Sequence, residues 1–371
     1  MDFKKLGINT DIIDVLKKSG IDKPTEIQEK SIKVIKAGRD VIAEAQTGTG
    51  KTLAFLLPIF ENISPEIDSV QALIITPTRE LAIQITEEAN KLKKVNDINV
   101  LSAYGGKDID SQLKKLKKGV HLIVATPGRL LDHLNRKTIN LSKLKTFVVD
   151  EADQMLLMGF KNDIEDIIKF SSKKHQTLFF SATISSEVKK LAYRYMINPE
   201  FITTKKEEVT LSNIKQEIIE TTLNDKQSVL RSVLNEDNPF MAIIFCRTKR
   251  RVDEIEVMLH QHGYNCIKLH SDITQKKREK IMKDFRAGDI QYLIATDVAA
   301  RGLDISGVSN IYNYDAPENA EAYIHRIGRT GRAGEAGYTC LFVTPKDQMT
   351  LKEIEKAIKM NIPKRQLKGS M

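Results

Sequence analysis

Asp40-Val-Ile-Ala-Glu-Ala-Gln-Thr-Gly-Thr-Gly-Lys-Thr-Leu-Ala-Phe-Leu-Leu57 decides how this chain is read. The apolar run Asp40 to Ala43 predicts a strand, and Leu53 to Leu57 predicts a helix. Between them lies a loop with two glycines. That order puts backbone N–H groups at a helix N-terminus, where they cradle phosphates. Ala45-Gln-Thr-Gly-Thr-Gly-Lys-Thr52 is then a phosphate loop, with Ala45 at the place of the first glycine of the general pattern. Gln46, Thr47, Gly48, Thr49 and Gly50 form the cradle, Lys51 reaches the β- and γ-phosphates, and the Thr52 hydroxyl ligates Mg²⁺. A tight glycine turn with an exposed lysine is the plain alternative, and the flanking strand and helix argue against it.

Outward from this segment, apolar β-branched runs alternate with polar turns and helical patterns, the signature of parallel βαβ units. Strands are expected at 40–43, 72–76, 100–103, 122–125, 147–150 and 177–181, then at 242–246, 265–269, 292–296, 310–314 and 337–343. The polar stretch between the two sets reads as a linker. The expected division is a domain over 1–204, a linker over 205–213 and a second domain over 214–371, each an α/β domain with a parallel β-sheet flanked by helices. LIVATPGRL at 122–130 and LIATDVAARGLD at 293–304 resemble each other weakly. The turn after Ile244-Phe245-Cys246 continues as Arg-Thr-Lys-Arg-Arg without glycine, so one nucleotide site is expected for two similar domains.

Composition narrows the class. The 371 residues carry 58 Lys and Arg against 49 Asp and Glu, a net charge of +9, with 41% hydrophobic and 29% charged residues. This is the balance of a globular protein, and it excludes wholesale disorder, collagen and coiled coil. The apolar run Leu53 to Phe60 is far shorter than the roughly 20 residues that span a bilayer, so no membrane association is expected. No signal peptide is visible at the N-terminus. Cys246, Cys266 and Cys340 lack metal-like spacing and suit a cytoplasmic, reducing compartment. The excess of basic charge hints at an anionic partner, although a solvated terminal helix over 351–371 accounts for part of it.

Two further constellations carry chemistry. Asp150-Glu-Ala-Asp153 follows the apolar run Thr146 to Val149. A carboxylate at the end of a parallel strand beside a phosphate loop is placed to hold Mg²⁺, and the next one to deprotonate an attacking water. His325-Arg-Ile-Gly-Arg-Thr-Gly-Arg332 lies in the half without a phosphate loop, and arginine forks suit the charge of a phosphoryl-transfer transition state.

With these motifs the chain resembles the DEAD-box RNA helicases, superfamily 2 ATPases built from two tandem RecA-like domains. The resemblance covers nearly the whole length. It rests on Phe3, Gly20-Ile21, Pro24-Thr-Glu-Ile-Gln28, AQTGTGKT at 45–52, Pro77-Thr-Arg-Glu-Leu81, Gly105-Gly106, Thr126-Pro-Gly-Arg129, DEAD at 150–153 and Ser181-Ala-Thr183. In the second half it rests on Ile244-Phe-Cys-Arg-Thr248, Gln275 with Arg278, Ala295-Thr-Asp297, Arg301-Gly-Leu-Asp304 and HRIGRTGR at 325–332.

The resemblance implies an RNA-dependent ATPase that uses ATP and Mg²⁺, closes its domains around ATP and RNA, and unwinds short duplexes locally as a monomer. Gln28 would read adenine, with Thr25, Phe3 and Ile21 shaping that pocket. Ile21 and Glu26 stand where relatives often have an aromatic and a proline. Lys51, Asp150 and Glu151 would be catalytic, Thr52 and Asp150 would hold the metal, and Asp304 would hold the ribose. Arg329 and Arg332 would act as fingers. Ser181, Thr183, Asp297, His325 and Arg326 would couple closure to hydrolysis. RNA would lie on Pro77, Thr78, Arg79, Gly106, Thr126, Gly128, Arg129, Arg247, Gln275, Arg278 and Thr296, a set suited to phosphate and 2′-OH contact without sequence preference. An ATP-gated RNA clamp with incidental turnover shares all these motifs, and a DNA translocase fits them less well. Tyr104 and Phe245 read as strand packing, and His121, His133, His175, His260, His262 and His270 show no ligand spacing. The cysteines read as buried hydrophobes. No RGG-like or RNA-recognition module follows the second domain in this sequence.

Overall fold

The computed structural model describes residues 2–46, 48–93, 95, 97–106, 109–204, 213–300, 307–331 and 336–367. The chain folds as two compact units, Met1–Lys206 and Glu207–Met371. Of the expected linker, 205–212 lie outside the described residues.

The first unit holds β1 (Val41–Glu44), β2 (Ala72–Ile75), β3 (Val100–Ala103), β4 (Leu122–Ala125), β5 (Thr146–Val149), β6 (Gln176–Ser181) and β7 (Glu200–Thr203). They form one sheet in the order β3-β4-β2-β5-β6-β1-β7, with every neighbouring pair parallel. Ala-Leu-Ile-Ile in β2 and Leu-Ile-Val-Ala in β4 are apolar throughout because helices cover both faces of the sheet. Ile74, Val124 and Val148 pack to one side with Phe55 and Ile85. Leu73, Ile123 and Phe147 pack to the other with Leu130 and Ile164.

The second unit holds β8 (Ile214–Glu220), β9 (Ala242–Cys246), β10 (Cys266–Leu269), β11 (Tyr292–Thr296), β12 (Asn310–Asn313) and β13 (Gly337–Val343). Their order is β10-β11-β9-β12-β13-β8, again all parallel. This is the order of the first sheet without β7, so β8 corresponds to β1, β9 to β2 and β11 to β4.

Three expectations change. β7 and β8 escaped the sequence reading because both lie at a sheet edge and mix polar residues among apolar ones, as in Ile-Lys-Gln-Glu-Ile-Ile-Glu of β8, instead of forming an apolar run. The turn after β9 is consequently the counterpart of the turn after β2, and the counterpart of the phosphate loop follows β8. The backbone agrees: Thr78 (φ −126°, ψ 153°) and Thr248 (φ −127°, ψ 153°) each open a helix. Each hydroxyl accepts an amide hydrogen bond from three residues on, Leu81 at 3.3 Å and Arg251 at 3.2 Å. The C-terminal segment is also no solvated helix to its end. Its helix stops at Ile358 after burying Leu351 and Ile354. Pro363 O then accepts from Ile218 N and Arg365 N donates to Ile218 O, which fills the place beside β8 that β7 takes beside β1.

Candidate functional site

The phosphate loop runs from the end of β1 to the helix Lys51–Asn62. Gly48 (φ +87°) and Gly50 (φ +89°) take left-handed backbone that other residues adopt only with strain. A Cβ on Gly50 would lie 2.5 Å from Gln28 Nε2. That contact is a hydrogen bond: Gln28 Nε2 donates to Gly50 O at 2.9 Å, while Gln28 Oε1 accepts from Thr25 N at 3.0 Å in a capping box of the helix Glu26–Lys36. The amide expected to read adenine is therefore built into the loop. Thr49 Oγ1 donates to Gln46 O at 2.7 Å and tightens the same turn. Phe3 is buried in the core of this unit, and Ile21 packs against that core. Thr52 is the second residue of the helix and half-buried, and Thr47 lies outside the described residues.

Lys51 is buried, and its Nζ has no hydrogen-bond partner among the described residues. An ammonium left so is costly unless an anion completes it. Asp150, at the end of β5, is also buried; burial raises its carboxyl above the usual range, while Lys51 and the Glu151 amide oppose the shift. Asp150 Oδ1 accepts from Glu151 N at 2.9 Å. Glu151 has φ +51° and ψ +51°, an uncommon conformation for a side-chain-bearing residue and one that concentrates at functional sites. Asp153 turns the other way: its Oδ2 accepts from Thr183 N at 3.0 Å and Thr183 Oγ1 at 2.9 Å, and its N donates to Ser181 Oγ at 3.0 Å. Ser181 and Thr183 are thus bonded directly to the acidic turn.

Three further loops gather at the C-terminal ends of the adjacent strands β3, β4 and β2. Thr78 caps the helix that begins at Arg79, with Pro77 before it. Gly105 lies against Arg79, since a Cβ there would be 3.1 Å from Arg79 Nη2. Gly106 (φ +85°) completes the β3 turn. Thr126 stands at the position that opens the helix Pro127–Asn135. A Cβ on Gly128 would meet nothing within 4 Å, so packing does not demand glycine there, whereas close approach of a ligand would. Arg129 reaches Asp132 only at 4.0 Å.

In the second unit Arg326 is spent internally. It grips Asp297 with two bonds of 2.6 and 2.7 Å, donates to Asn313 Oδ1 and Asp315 O, and lies 5.0 Å from the centre of the Phe245 ring. Phe245 packs in the core of its unit as expected, and its ring also faces this cation. Arg247 N donates to Asp315 Oδ2 at 3.0 Å and its Nη2 to Ala316 O at 2.9 Å. Gln275 and Arg278 are buried; Gln275 donates to Glu279, and Arg278 donates to Ala299 O. Thr296 ends β11 and is buried. His325 and Arg329 are half-buried, Arg329 in the turn after the helix Ala320–Ile327. Asp304 and Arg332 lie outside the described residues. The sequence reading passed over Lys226, Asp315 and Gln112, and set His133 aside with the other histidines that show no ligand spacing. A polar residue at the buried i, i+3 position of a helix, as His133 is with Leu130, was the available signal for the last. The thiols of Cys266 and Cys340 are pushed up to about 12 by burial, which leaves them inert.

Residues 25–191 match the DEAD/DEAH box helicase family and residues 225–334 the helicase conserved C-terminal domain. The DEAD-box ATP-dependent RNA helicase CshA of Bacillus licheniformis is 48% identical over 357 residues, covering 96% of this chain and 73% of that protein. S. cerevisiae Dbp5 bound to RNA and ADP BeF3 is 32% identical, with 98% of this chain and 95% of that one covered and a TM-score of 0.88. A DEAD box protein from Methanococcus jannaschii is 39% identical over 99% of each chain, with a TM-score of 0.56. No helix among the described residues is long and apolar enough to cross a membrane. Two parallel sheets of one topology, a phosphate loop beside a buried acidic turn, and relatives matched across both units establish that the chain belongs to the DEAD-box family of ATP-dependent RNA helicases.

Proposed function

We propose that hydrolysis of ATP is coupled to closure of the two units around ATP and a single RNA strand, and that closure opens short duplexes locally. The observation that carries this reading is the division of parts. The phosphate loop, Asp150 and Glu151 belong to the first unit, whereas Arg329 belongs to a unit whose equivalent loop holds no glycine. Closure would complete a site that neither unit has alone.

Gln28 and Thr25 hold the adenine end, and Lys51 with the loop amides holds the phosphates. Glu151 takes the proton of the attacking water, and Lys51, Arg329 and Arg332 take up charge on the phosphoryl oxygens. The orphaned Lys51 ammonium and the hard oxygens of Thr52 and Asp150 fit a Mg²⁺–triphosphate. Mg²⁺ held by Thr52 and Asp150 would neutralise phosphate charge during transfer. RNA lies over Pro77–Arg79, Gly106, Thr126–Arg129, Arg247 and Thr296, held by phosphates and sugars. Gln275 and Arg278, both buried, support this surface from beneath. The RNA carried by the Dbp5 relative supports the same ligand class here. One chain carries both half-sites, so we take a monomer as the working unit. Free buried cysteines suit a cytoplasmic setting.

Steady-state ATPase assays with RNA and with DNA test the proposal. RNA should stimulate and DNA should not, and Glu151→Gln should lower RNA-stimulated turnover by roughly 10²–10⁴ while ATP still binds. Equal stimulation by DNA, or near-normal turnover of Glu151→Gln, would overturn it.

A further inference from the structure

The helix Ile109–Leu116 has one fully buried residue, and it is a glutamine. Gln112 Nε2 donates to Tyr104 O, the carbonyl just before Gly105-Gly106, at 3.3 Å. Its Oε1 lies 2.9 Å from Nε2 of His133, which is 0% exposed on the helix that Thr126 opens. Because Tyr104 O can only accept, the Gln112 amide nitrogen must face it and its oxygen must face the imidazole. His133 therefore carries its proton on Nε2, and its Nδ1 accepts from the Thr138 hydroxyl at 2.8 Å, the shorter of that hydroxyl's two contacts, the other being His133 O at 3.1 Å.

From this geometry we infer that Gln112 and His133 are positioning residues for RNA binding, a buried clasp that fixes the Gly105-Gly106 turn against the helix bearing Gly128 and Arg129. The inference rests on the proposed RNA surface. A glycine turn has no side chain of its own to hold its shape, so its position must come from what its flanking carbonyls are bonded to. A network in which each polar atom has its partner selects one arrangement, and loss of one member leaves the others buried and unpaired. Burial, aided by Arg129, also lowers the His133 pKa, which keeps the imidazole neutral and the chain of donors intact.

RNA-stimulated ATPase of Gln112→Leu and His133→Leu, run on the full chain beside Arg129→Ala, tests this. Both clasp variants should raise the RNA concentration for half-maximal stimulation about tenfold, with turnover at saturating RNA and nucleotide affinity unchanged. His133→Gln, which still donates to Gln112, should restore most of the loss. If a leucine variant does not fold, Gln112→Asn, one methylene too short to reach both partners, should show the same split. Lower turnover with an unchanged RNA requirement would mark a merely structural role and overturn the clasp, as would retained RNA affinity in the clasp variants while Arg129→Ala loses it. Unchanged RNA affinity in Arg129→Ala would overturn the RNA surface itself.

Discussion

Two loops at equivalent places in the two sheets, one after β1 and one after β8, lead into helices that both begin with lysine, Lys51 and Lys226. An aspartate stands at a matching strand end in each unit: Asp150 N donates to Ile75 O at 3.0 Å, and Asp315 N to Phe245 O at 3.2 Å. From there they part. The first loop has two glycines with positive φ and a lysine without a hydrogen-bond partner among the described residues. The second, Thr221-Thr-Leu-Asn-Asp225, has no glycine and closes on itself, Thr222 Oγ1 donating to Asp225 Oδ2 at 2.6 Å. Lys226 pairs with Asp315 at 3.4 Å and lies 4.9 Å from the centre of the Tyr314 ring. The same scaffold leaves its donors unspent in the first unit, where we propose that phosphates bind, and becomes a brace in the second, where they are spent on each other. The brace has a use, because Asp315 also receives Arg247 N, and its carbonyl receives Arg326.

The sharpest way to break this comparison is to ask what the second unit gives to hydrolysis if it holds no nucleotide itself. Arg329→Ala should leave nucleotide binding nearly intact and reduce RNA-stimulated turnover on the order of 10³–10⁵, the contribution of an arginine finger in related phosphoryl transfer. Reduced fluorescent-nucleotide binding with unchanged turnover per bound ATP would move Arg329 into the ground-state pocket.

The paired lysines give the next contrast. Lys51→Ala removes charge-assisted bonds to phosphate worth about 1.5–3 kcal/mol, so ATP affinity should fall roughly 10- to 100-fold. Lys226→Ala should leave ATP affinity unchanged and lower unfolding stability by about 1–3 kcal/mol, because the Asp315 carboxylate loses its cation. Urea titration beside nucleotide binding reads both. A loss of ATP affinity in Lys226→Ala would mean that the second loop still serves a nucleotide.

Asp150 and Asp315 differ in the same sense. The raised Asp150 pKa means that the folded state binds its proton more tightly than the unfolded chain. Stability contributed by this group therefore falls as pH rises from the ordinary 3.8 through the raised value, and the penalty is complete above it. Asp150→Asn should thus raise the thermal midpoint of the nucleotide-free protein at neutral pH while abolishing hydrolysis, whereas Asp315→Asn should lower it. A lower midpoint for Asp150→Asn would show that the Lys51 attraction outweighs burial.

The contrast also explains what was legible beforehand. Glycines and lysine in 45–52, and a carboxylate pair after an apolar strand, are local patterns, so the nucleotide side could be read from the sequence. Apolar runs likewise announced the central strands. β8 did not announce itself, because this edge strand carries polar residues in place of an apolar run, and its absence shifted the supposed counterpart of the phosphate loop to β9. Lys226 with Asp315 and Gln112 with His133 are pairs separated by 89 and 21 positions, meaningful only once the fold brings them together. Single residues of that kind look like solvated charge or idle histidine.

The smallest effect concerns how each unit holds its strand-end loops. The second unit does so with ion pairs, Arg326 on Asp297 and Lys226 on Asp315, whereas the first uses the uncharged pair of Gln112 and His133. Burial lowers the His133 pKa from its ordinary 6.5, Arg129 and Arg136 act the same way, and Asp132 opposes them. Those are the charged groups acting on the ring, and Gln112 and Thr138 are its neutral partners. A base whose folded pKa is depressed is protonated first in the unfolded chain, so stability is full above 6.5 and drains as pH falls from there to the lower folded value. Urea unfolding followed from about pH 7 to about pH 5 should therefore show a loss in the wild-type chain that is smaller in His133→Gln, which has no proton to take up. The Lys226→Ala chain should keep the wild-type slope, since its missing ion pair lies elsewhere. An unchanged slope in His133→Gln would mean that the folded protein takes up the His133 proton as readily as the unfolded chain, and burial would then not keep this imidazole neutral.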